Sequence, residues 1–242
     1  MPPRTAPIPA PAARTERSSD DTPARLLEAA ERLFAERGFE GTSMRALAER
    51  AGTSVSAGHY HFGGKLELVR AVLVRRIEPM NARRLELLGA LQGRSAPASP
   101  ALDEVLDAFL RPSVEGWRMW QAASGRRTRH ILAQLHTDPD QRLADLKVEL
   151  FGPVVDRFVD VLAEILPDRS REEIALDLQF VVGMLVQVVG GQTQLWATKS
   201  TEATPRIDDE MLLYRMVAFA AAGLRAKTFA GAGRISGAEG SG

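Results

Sequence analysis

The sequence predicts an all-α protein. Through most of the 242 residues, apolar side chains recur at three- and four-residue spacing, which gives a helix one apolar face. No stretch has the strict alternation of a half-buried strand or the short turn of a hairpin. Proline and glycine separate the periodic segments, so we expect a series of helices joined by loops.

The first helix is predicted to begin near Asp21, where Asp21 and Thr22 offer cap oxygens and Pro23 fits the first turn. Gly38 is expected to end it in a left-handed cap. Its apolar face consists of Leu26, Leu27, Ala30, Leu33 and Phe34. A single face of this kind predicts packing against a small core.

The second and third helices are predicted to be joined by a very short turn. Thr42 should cap the second helix, Gly52 should end it, and Ser54 should begin a third helix at about Val55–Phe62. So short a connection makes the helices cross steeply, as in a helix-turn-helix. An ordinary helical hairpin is the alternative.

The third helix has few large apolar side chains, and Gly58 costs it roughly 1 kcal/mol relative to alanine. A segment with weak local support and a polar face is better suited to a partner than to a core. We expect it to lie in a DNA major groove, where small side chains let the backbone approach. Ser56, His59 and Tyr60 would offer hydrogen-bonding atoms to the bases.

Phosphate contacts are predicted around the helix starts. Arg45 and Lys65 would neutralise phosphates, and the caps at Thr42 and Ser54 would lie where backbone N–H groups meet them. Residues 1–76 carry 12 Lys and Arg against 9 Asp and Glu, whereas the whole chain has a net charge of zero. So small a surplus predicts that useful affinity requires two copies of the chain on one duplex.

Residues 22–75 resemble the DNA-binding domain of the TetR (AcrR) family of transcriptional repressors. The resemblance is carried by the runs Leu27–Ala30, Leu33–Gly38, Gly41–Ser43, Leu47–Gly52 and Tyr60–Gly63, together with Lys65. It implies that the DNA backbone is touched by Thr42, Tyr60, His61 and Lys65, and that base edges face Val55, Ser56, Ala57 and His59. Gly58 and His59 depart from the usual family pattern, so we expect an operator sequence particular to this chain.

Beyond Lys65 the helical period continues past Pro79, which predicts a long, kinked linking helix. Residues 93–101 have the composition of a loop. Further helices are expected at 102–111, 113–121, 126–136, 140–166, 171–198 and 209–227, with breaks at Pro112, Pro139 and Pro167 among others. The predicted organisation is a disordered arm (1–20), a helix-turn-helix domain (21–66), a larger helical domain for ligand binding and dimerisation (67–229) and a disordered tail (230–242).

The last two long helices have broad apolar faces, and Ser170 with Glu173 forms a capping box before the first of them. Small residues allow close approach, so we expect two helices from each subunit to form a four-helix dimer interface. The domain core is the alternative use of the same residues. The predicted interface consists of Leu178, Val182, Leu185, Val189, Leu213, Val217, Ala221 and Leu224.

Aromatic and polar side chains on separate segments are predicted to line a ligand cavity in the larger domain. They are Trp117, Trp120, Phe151, Phe158, Gln187, Gln192 and Trp196. Plain core packing is the competing interpretation for the aromatic residues. The run Arg126–Arg129 would either attract an anionic ligand or form a solvated face.

The stretch Glu78–Leu85 is similar to a branch of the family that includes regulators of fatty-acid degradation. A fatty acid or acyl-CoA is therefore the first effector predicted, and an aromatic compound is the second. The predicted function is a dimeric repressor that this ligand releases from a palindromic operator in double-stranded DNA. The alternatives are a helix-turn-helix protein without an effector, and a helical enzyme or lipid carrier.

Composition disfavours several other classes. The chain has no cysteine, which excludes disulfides and thiolate chemistry. The pairs His59/His61 and His130/His136 lack metal-pair spacing, and no phosphate loop or dinucleotide motif occurs, so we expect no catalysis, metal or cofactor. No apolar run reaches the roughly 20 residues of a membrane span. A cytoplasmic, nucleoid-associated protein is expected.

Overall fold

The computed structural model describes residues 21–95, 98–119, 127, 131–136, 138–189 and 208–226. Helices and loops account for all of these residues, and no strand occurs among them, so the all-α prediction is confirmed. The helices are α1 (Thr22–Arg37), α2 (Met44–Ala51), α3 (Val55–Phe62), α4 (Lys65–Ser95), α5 (Leu102–Met119), α6 (Gln141–Ile165), α7 (Arg171–Val189) and α8 (Asp209–Arg225). Residues 131–136 form a further short helical segment before α6.

The N-terminal head consists of α1, α2, α3 and the first turns of α4. Leu26, Leu33 and Phe34 of α1 are buried in its core together with Leu47 of α2. The apolar period of α1 therefore does face the core, although Leu27, at the edge of the same stripe, is only partly buried.

Serine hydroxyls cap the two short helices of the head. Ser43, rather than the predicted Thr42, is the N-cap of α2, because its Oγ accepts the Ala46 amide at 3.2 Å. Ser54 caps α3 as predicted and accepts the Ala57 amide at 3.1 Å. Each cap satisfies one of the free N–H groups of a helix start.

Helix α4 joins the head to the rest of the molecule. Its 31 residues span about 46 Å at 1.5 Å per residue, with Pro79 inside the helix. In the head, Arg76 donates through Nε and Nη2 to both carboxylate oxygens of Glu31 on α1, at 3.0 and 2.9 Å. Because Glu31 is buried, this bidentate pair fixes α1 firmly against α4.

The body is formed by the second half of α4 with α5, α6, α7 and α8. At its centre, the rings of Phe109 and Phe158 meet edge to face, with centroids 5.1 Å apart. Pro112 was expected to end a helix, but α5 continues through it to Met119. A proline removes one backbone donor, and tertiary packing can keep the remaining helix intact.

The start of α7 confirms the predicted capping box. Ser170 Oγ accepts the Glu173 amide at 3.2 Å, and Glu173 Oε2 accepts the Ser170 amide at 2.9 Å. Two free donors of the helix start are thereby satisfied reciprocally.

Most of the residues that the sequence assigned to a dimer interface lie inside the subunit. Val182 is only partly buried, and the side chain of Val189 falls outside the described residues. The others belong to the core of the body: Leu178, Leu185, Leu213, Val217, Ala221 and Leu224. That assignment is corrected, because side chains enclosed by their own subunit leave no surface for a second copy. Helical spacing identifies an apolar stripe but does not reveal which neighbour covers it.

The head also touches the body directly through α6. Leu143 and Leu146, in the first turns of α6, are buried in the head core beside the segment 131–136. Arg142 Nη2 lies 3.1 Å from Glu40 Oε1, in the loop that follows α1. Both α4 and α6 therefore connect the body to the head.

Candidate nucleic-acid interface and internal cavity

The outer face of α3 is open to solvent. Tyr60 is 86% exposed, and Val55, Ser56, His59 and His61 are exposed as well. The rings of Tyr60 and His61 meet edge to face, with centroids 5.1 Å apart. One side of a short helix thus presents a hydroxyl, a phenol and two imidazoles away from the protein.

The inner face of α3 packs on α1 and α2 through Gly58. A Cβ at Gly58 would lie 3.0 Å from Met44 Cε and 3.9 Å from Leu26 Cδ2. Ala57, beside it, is half-buried. Gly58 therefore permits close packing within the head.

The turn between α2 and α3 is tight and is held from α1. Gly52 adopts the left-handed conformation, with φ 63° and ψ 41°, and the Thr53 amide donates to the Ala48 carbonyl at 2.9 Å. Arg25 Nη1 donates to the Ala51 carbonyl at 3.1 Å. A cation is favourable at the C-terminus of a helix, and here it ties α1 to the turn that aims α3. No local sequence signal marks Arg25 for this role.

Two of the predicted phosphate contacts point into the protein. Thr42 is 2% exposed, and its hydroxyl donates to the Gly38 carbonyl at 2.8 Å. Lys65 Nζ donates to the Phe39 carbonyl at 2.9 Å and lies 4.1 Å from the centre of the Phe39 ring. Both side chains therefore hold the loop between α1 and α2, and Lys65 would have to leave this contact to reach a phosphate.

Arg45 and Ser54 are placed outward, at the starts of α2 and α3. Arg45 is exposed in the first turn of α2. Ser54 is exposed too, and because its Oγ accepts the Ala57 amide, its own proton remains available to an external acceptor. A cation and a hydroxyl beside helix N-termini suit the binding of a phosphate.

A cavity of about 640 Å³ lies between α4, α5, α6, α7 and the segment 131–136. Its walls are mainly apolar, as in most small-molecule sites. Of the residues expected at a ligand site, Phe151 and Gln187 lie in its wall, whereas Phe158 is fully buried in the core of the body. The remaining predicted lining falls outside the described residues: the side chain of Trp117, and Trp120, Gln192 and Trp196.

An arginine that the sequence analysis missed is buried at the cavity wall. Arg84, on α4, is 3% exposed and lies 4.7 Å from the centre of the Phe109 ring. Its Nε donates to the Phe109 carbonyl at 2.8 Å, Nη1 to Asn81 Oδ1 at 3.0 Å and Nη2 to Ser113 Oγ at 2.7 Å. Burial lowers the pKa of Arg84 to about 10, so the guanidinium is charged at neutral pH. Arginine is rarely buried to this extent, and its helical position gives no warning of it.

Side chains from the same part of α4 donate hydrogen bonds to backbone carbonyls that precede prolines in α5 and α6. The Phe109 carbonyl, which accepts from the buried guanidinium, lies three residues before Pro112. The Leu150 carbonyl of α6, three residues before Pro153, accepts from Asn81 Nδ2 at 2.8 Å. The N–H that each proline lacks would have donated to the carbonyl four residues earlier, and these donors hold the next carbonyl of the same turn. They also join α4, α5 and α6 at the cavity.

His136 and Lys147 add two basic groups to the cavity wall. Burial lowers the pKa of His136, and the charges of Lys147 and Arg84 act in the same direction, against a hydrogen bond to the Leu132 carbonyl. His136 is therefore neutral at neutral pH, with its ring centroid 5.9 Å from that of Phe151.

Within the described ranges, the structure has neither a metal-binding cluster nor a membrane-spanning helix. No group of three or more His, Cys, Asp or Glu side chains there could hold a metal ion. No helix in that part of the chain is both long and apolar enough to cross a bilayer.

Two family models match the chain. Residues 26–72 match the model described as bacterial regulatory proteins, tetR family. Residues 107–223 match the model of a Tetracyclin repressor-like, C-terminal domain. Together the two matches cover more than half of the 242 residues and include both the head and most of the body.

Curated relatives match the chain over different lengths. The HTH-type transcriptional regulator TtgR of Pseudomonas putida is 43% identical over 60 residues, which is 25% of this chain and 29% of that protein. The HTH-type transcriptional regulator UidR of Escherichia coli K12 is 24% identical over 181 residues, covering 70% of this chain and 92% of that protein. The chain thus spans under a third of the first relative and most of the second.

Solved structures share the fold. The chain superposes on NalD of Pseudomonas aeruginosa, described as the secondary repressor of the MexAB-OprM multidrug efflux pump, with a TM-score of 0.57 and 19% identity. That superposition covers 85% of this chain and 98% of NalD. At this identity the likeness supports the architecture of head and body and carries no information about the ligand.

Proposed function

Because the chain belongs to the TetR family of bacterial regulatory proteins, we propose that it is a dimeric, sequence-specific DNA-binding regulator of transcription. It acts as a repressor, on the nucleoid in the cytoplasm, and a small molecule in the body cavity releases it from a palindromic operator. The observation that carries the proposal is the outer face of α3, where Tyr60 and its neighbours protrude from a rigidly packed head.

DNA reading divides between two sets of side chains. Val55, Ser56, Ala57 and His59 face the base edges of a major groove, and Ser54, Tyr60 and His61 contact the flanking backbone. Arg45 supplies a phosphate contact from α2. Thr42 and Lys65 support the interface from inside the head, since both hydrogen-bond backbone carbonyls there.

The dimer surface is the outer side of α7 and α8. Phe180 on α7 is 64% exposed and Phe219 on α8 is 74% exposed, and aromatic side chains of this size seldom stay in water. Leu176, Phe180 and Gly183 follow one another at helical spacing along the exposed side of α7. Met211, Tyr214, Ala218 and Ala222 are exposed on α8. Two copies related by a two-fold axis would cover these faces in a four-helix interface.

The cavity supports control by a ligand. The body has a partly open recess of about 640 Å³ with mainly apolar walls, as small-molecule sites usually have. A fatty acid or acyl-CoA is the first effector class and an aromatic compound the second. The ligand acts by favouring the arrangement in which the two heads no longer fit successive major grooves, about 34–36 Å apart.

The proposal is tested by selecting bound duplexes from a random DNA library with the full-length protein and sequencing them. The expected product is an inverted repeat with two half-sites, bound with two chains per duplex. The variant His59→Ala should change the enriched bases, while Leu85→Ser, on the exposed side of α4, should not. Enrichment of no motif, or of a single half-site bound by one chain, would contradict the proposal.

A further inference from the structure

Arg84 is buried, yet no carboxylate pairs with its charge in the part of the chain that the structure describes. Arg111 pairs with Asp107 at 2.8 Å, and Arg169 pairs with Asp177 at 2.6 Å. In the described structure, all three hydrogen-bond acceptors of Arg84 are neutral: a carbonyl, an amide and a hydroxyl. Arg84 is nevertheless buried more deeply than Arg111 or Arg169. A buried charge is normally neutralised by a partner, so this guanidinium is ready to receive an anion.

The cavity beside Arg84 has the electrostatic character of an anion receptor. Its ionisable wall residues in the described structure are Arg84, Lys147 and His136, and no Asp or Glu is among them. The positive charges of Lys147 and Arg84 both lower the pKa of His136, so the three groups act on the same space. An anion entering this space would meet positive potential from two sides and no carboxylate to repel it.

The remaining walls of the cavity favour an anion that has a large apolar part. Met80, Phe109, Phe151, Val155 and Val182 face the space with the guanidinium at one wall. The volume, about 640 Å³, is within the range that holds a drug-sized molecule. A fully hydrated anion such as phosphate would leave the apolar walls uncovered, and a neutral compound would leave the charge unpaired.

We propose that the cavity binds an amphiphilic monocarboxylate, whose carboxylate pairs with the Arg84 guanidinium and whose hydrocarbon part covers the apolar walls. This inference rests on the proposed function, because it names the effector of the same cavity. A guanidinium offers two parallel N–H donors to a carboxylate, which a neutral acceptor cannot match.

The position of Arg84 also gives the ligand a route to the DNA-reading head. A carboxylate on the guanidinium competes with its bonds to the Phe109 carbonyl and Ser113 Oγ, which join α4 to α5, and with its bond to Asn81 within α4. Asn81 in turn holds α6 at the Leu150 carbonyl. Since α4 and α6 both pack into the head, loosening this junction changes the placement of α3.

Isothermal titration calorimetry on the full-length protein tests the assignment with decanoate, decanol and decylammonium, which share one hydrocarbon chain. Decanoate is expected to bind at least tenfold more tightly than decanol, and decylammonium should not bind. In Arg84→Met the affinity for decanoate should fall by about 10- to 100-fold, as for the loss of a charge-assisted hydrogen bond. The affinity for decanol should stay within threefold.

Arg83→Met is the matched control, because Arg83 is the neighbouring, exposed arginine and pairs only with Glu86 in the described structure. It should bind decanoate as the wild type does. If Arg84→Met does not fold, Arg84→Lys keeps the charge but loses the planar fork, and it should retain only part of the preference for decanoate. Equal binding of decanoate and decanol by the wild type, or an unchanged preference in the Arg84 variants, would overturn the inference.

Fluorescence anisotropy with the selected duplex separates this inference from the proposed function. If decanoate binds through Arg84 but does not release DNA, the cavity binds carboxylates as inferred, and the proposal that the cavity controls DNA binding is refuted. If decanol releases DNA as readily as decanoate does, a ligand controls DNA binding as proposed, and the inference that the cavity selects a carboxylate is refuted.

Discussion

Gly58 illustrates how one residue can serve packing while its neighbours serve recognition. The residues on either side of it along α3 are Ala57, half-buried, and His59, exposed. Its own position faces Met44, which leaves no ordinary room for a Cβ. The low helix propensity that first suggested a specialised recognition helix is therefore a consequence of tight contact between α2 and α3.

Gly58→Ala is expected to change the free energy of unfolding by less than about 1 kcal/mol. Alanine favours the helix by roughly 1 kcal/mol, and the atom that it would press upon, Met44 Cε, is the end of a flexible side chain that can move. Thermal denaturation followed by circular dichroism measures the change. Gly89→Ala, with no atom within 4 Å of its Cβ, is the control and should give the full gain. A loss of several kcal/mol for Gly58→Ala would mean that Met44 cannot yield.

Arg45→Ala is expected to weaken binding to every duplex alike and to reduce the salt dependence by about one counterion, because a phosphate contact carries no base information. His59→Ala should instead change relative affinities among operator variants by about 1–3 kcal/mol at the contacted base pair. Anisotropy titrations at several salt concentrations measure both effects. His59 Nδ1 lies 2.9 Å from the Gly63 carbonyl, so His59→Ala, like Lys65→Ala, also removes a hydrogen bond within the head, and only the change in relative affinities tests base contact. An equal effect of the two changes on all duplexes would contradict the division of roles.

His136 is expected to make the protein less stable in mild acid. Its pKa in the folded protein lies below the ordinary value of about 6.5, chiefly because of burial, so the unfolded chain takes up a proton first. The stability associated with neutral His136 is therefore present above a pH of about 6.5, and it is lost as the pH falls below this ordinary pKa towards the lower pKa of the folded protein. His136→Asn, which keeps a donor for the Leu132 carbonyl, should lose less thermal stability than the wild type between pH 7.5 and 5.5. Equal losses in the two proteins would contradict the shift.

At the scale of the element, α3 is too short and too weakly helical to be stable by itself. Eight residues give barely two turns, and isolated helices of this length do not persist in water. It is held by the Ser54 cap, by packing of Gly58 and by the turn at Gly52, which Arg25 fastens to α1. Recognition side chains can then point outward without contributing to the core.

Ser54→Ala is expected to cost about 1 kcal/mol of stability, because one free N–H at the start of α3 loses its acceptor. DNA affinity should fall as well, with the preferred bases unchanged, since the cap holds the helix and the base-facing side chains are untouched. Chemical denaturation and the duplex selection measure the two effects. Ser54→Asp restores a capping oxygen and should recover the stability but not the affinity, because it places a negative charge near phosphate. Full DNA affinity in Ser54→Ala would argue against both roles.

At the scale of the molecule, α4 and α6 both connect the head to the body. The pair Arg76–Glu31 joins α4 to α1, and the apolar residues Leu143 and Leu146 carry α6 into the head core. The cavity lies on the other parts of the same two helices. A change of packing around the cavity therefore reaches the head without crossing a flexible linker.

Phe219→Glu is expected to convert the dimer to a monomer, because it places a charge at the centre of an apolar face that a second copy must cover. Operator affinity should fall at least 100-fold, since one head with a small positive surplus binds weakly. Sedimentation equilibrium and anisotropy measure the two quantities. Leu85→Glu is the control, because Leu85 is an exposed leucine of α4 and should tolerate the charge. A dimer that persists in Phe219→Glu would refute this interface.

The sequence by itself determined the helical class and the TetR family resemblance, which the family models confirm, although it divided α5 at Pro112. These depend on local patterns: apolar spacing, glycine at helix ends, and capping residues such as Ser54. Each acts within a few residues of the chain, so the printed sequence is enough to reveal it.

Tertiary structure alone decided which partner each face would meet. Leu178 and Leu213 lie on apolar stripes that fit a core or an interface equally well, and only the packing of α7 and α8 assigns them to the core. Thr42 was indistinguishable from an outward cap until its hydroxyl was found on the Gly38 carbonyl. Arg84 became a candidate receptor only when the structure showed it buried and bonded to Phe109 and Ser113 of α5. Burial and charge pairing arise from residues far apart along the chain, and no local pattern encodes them.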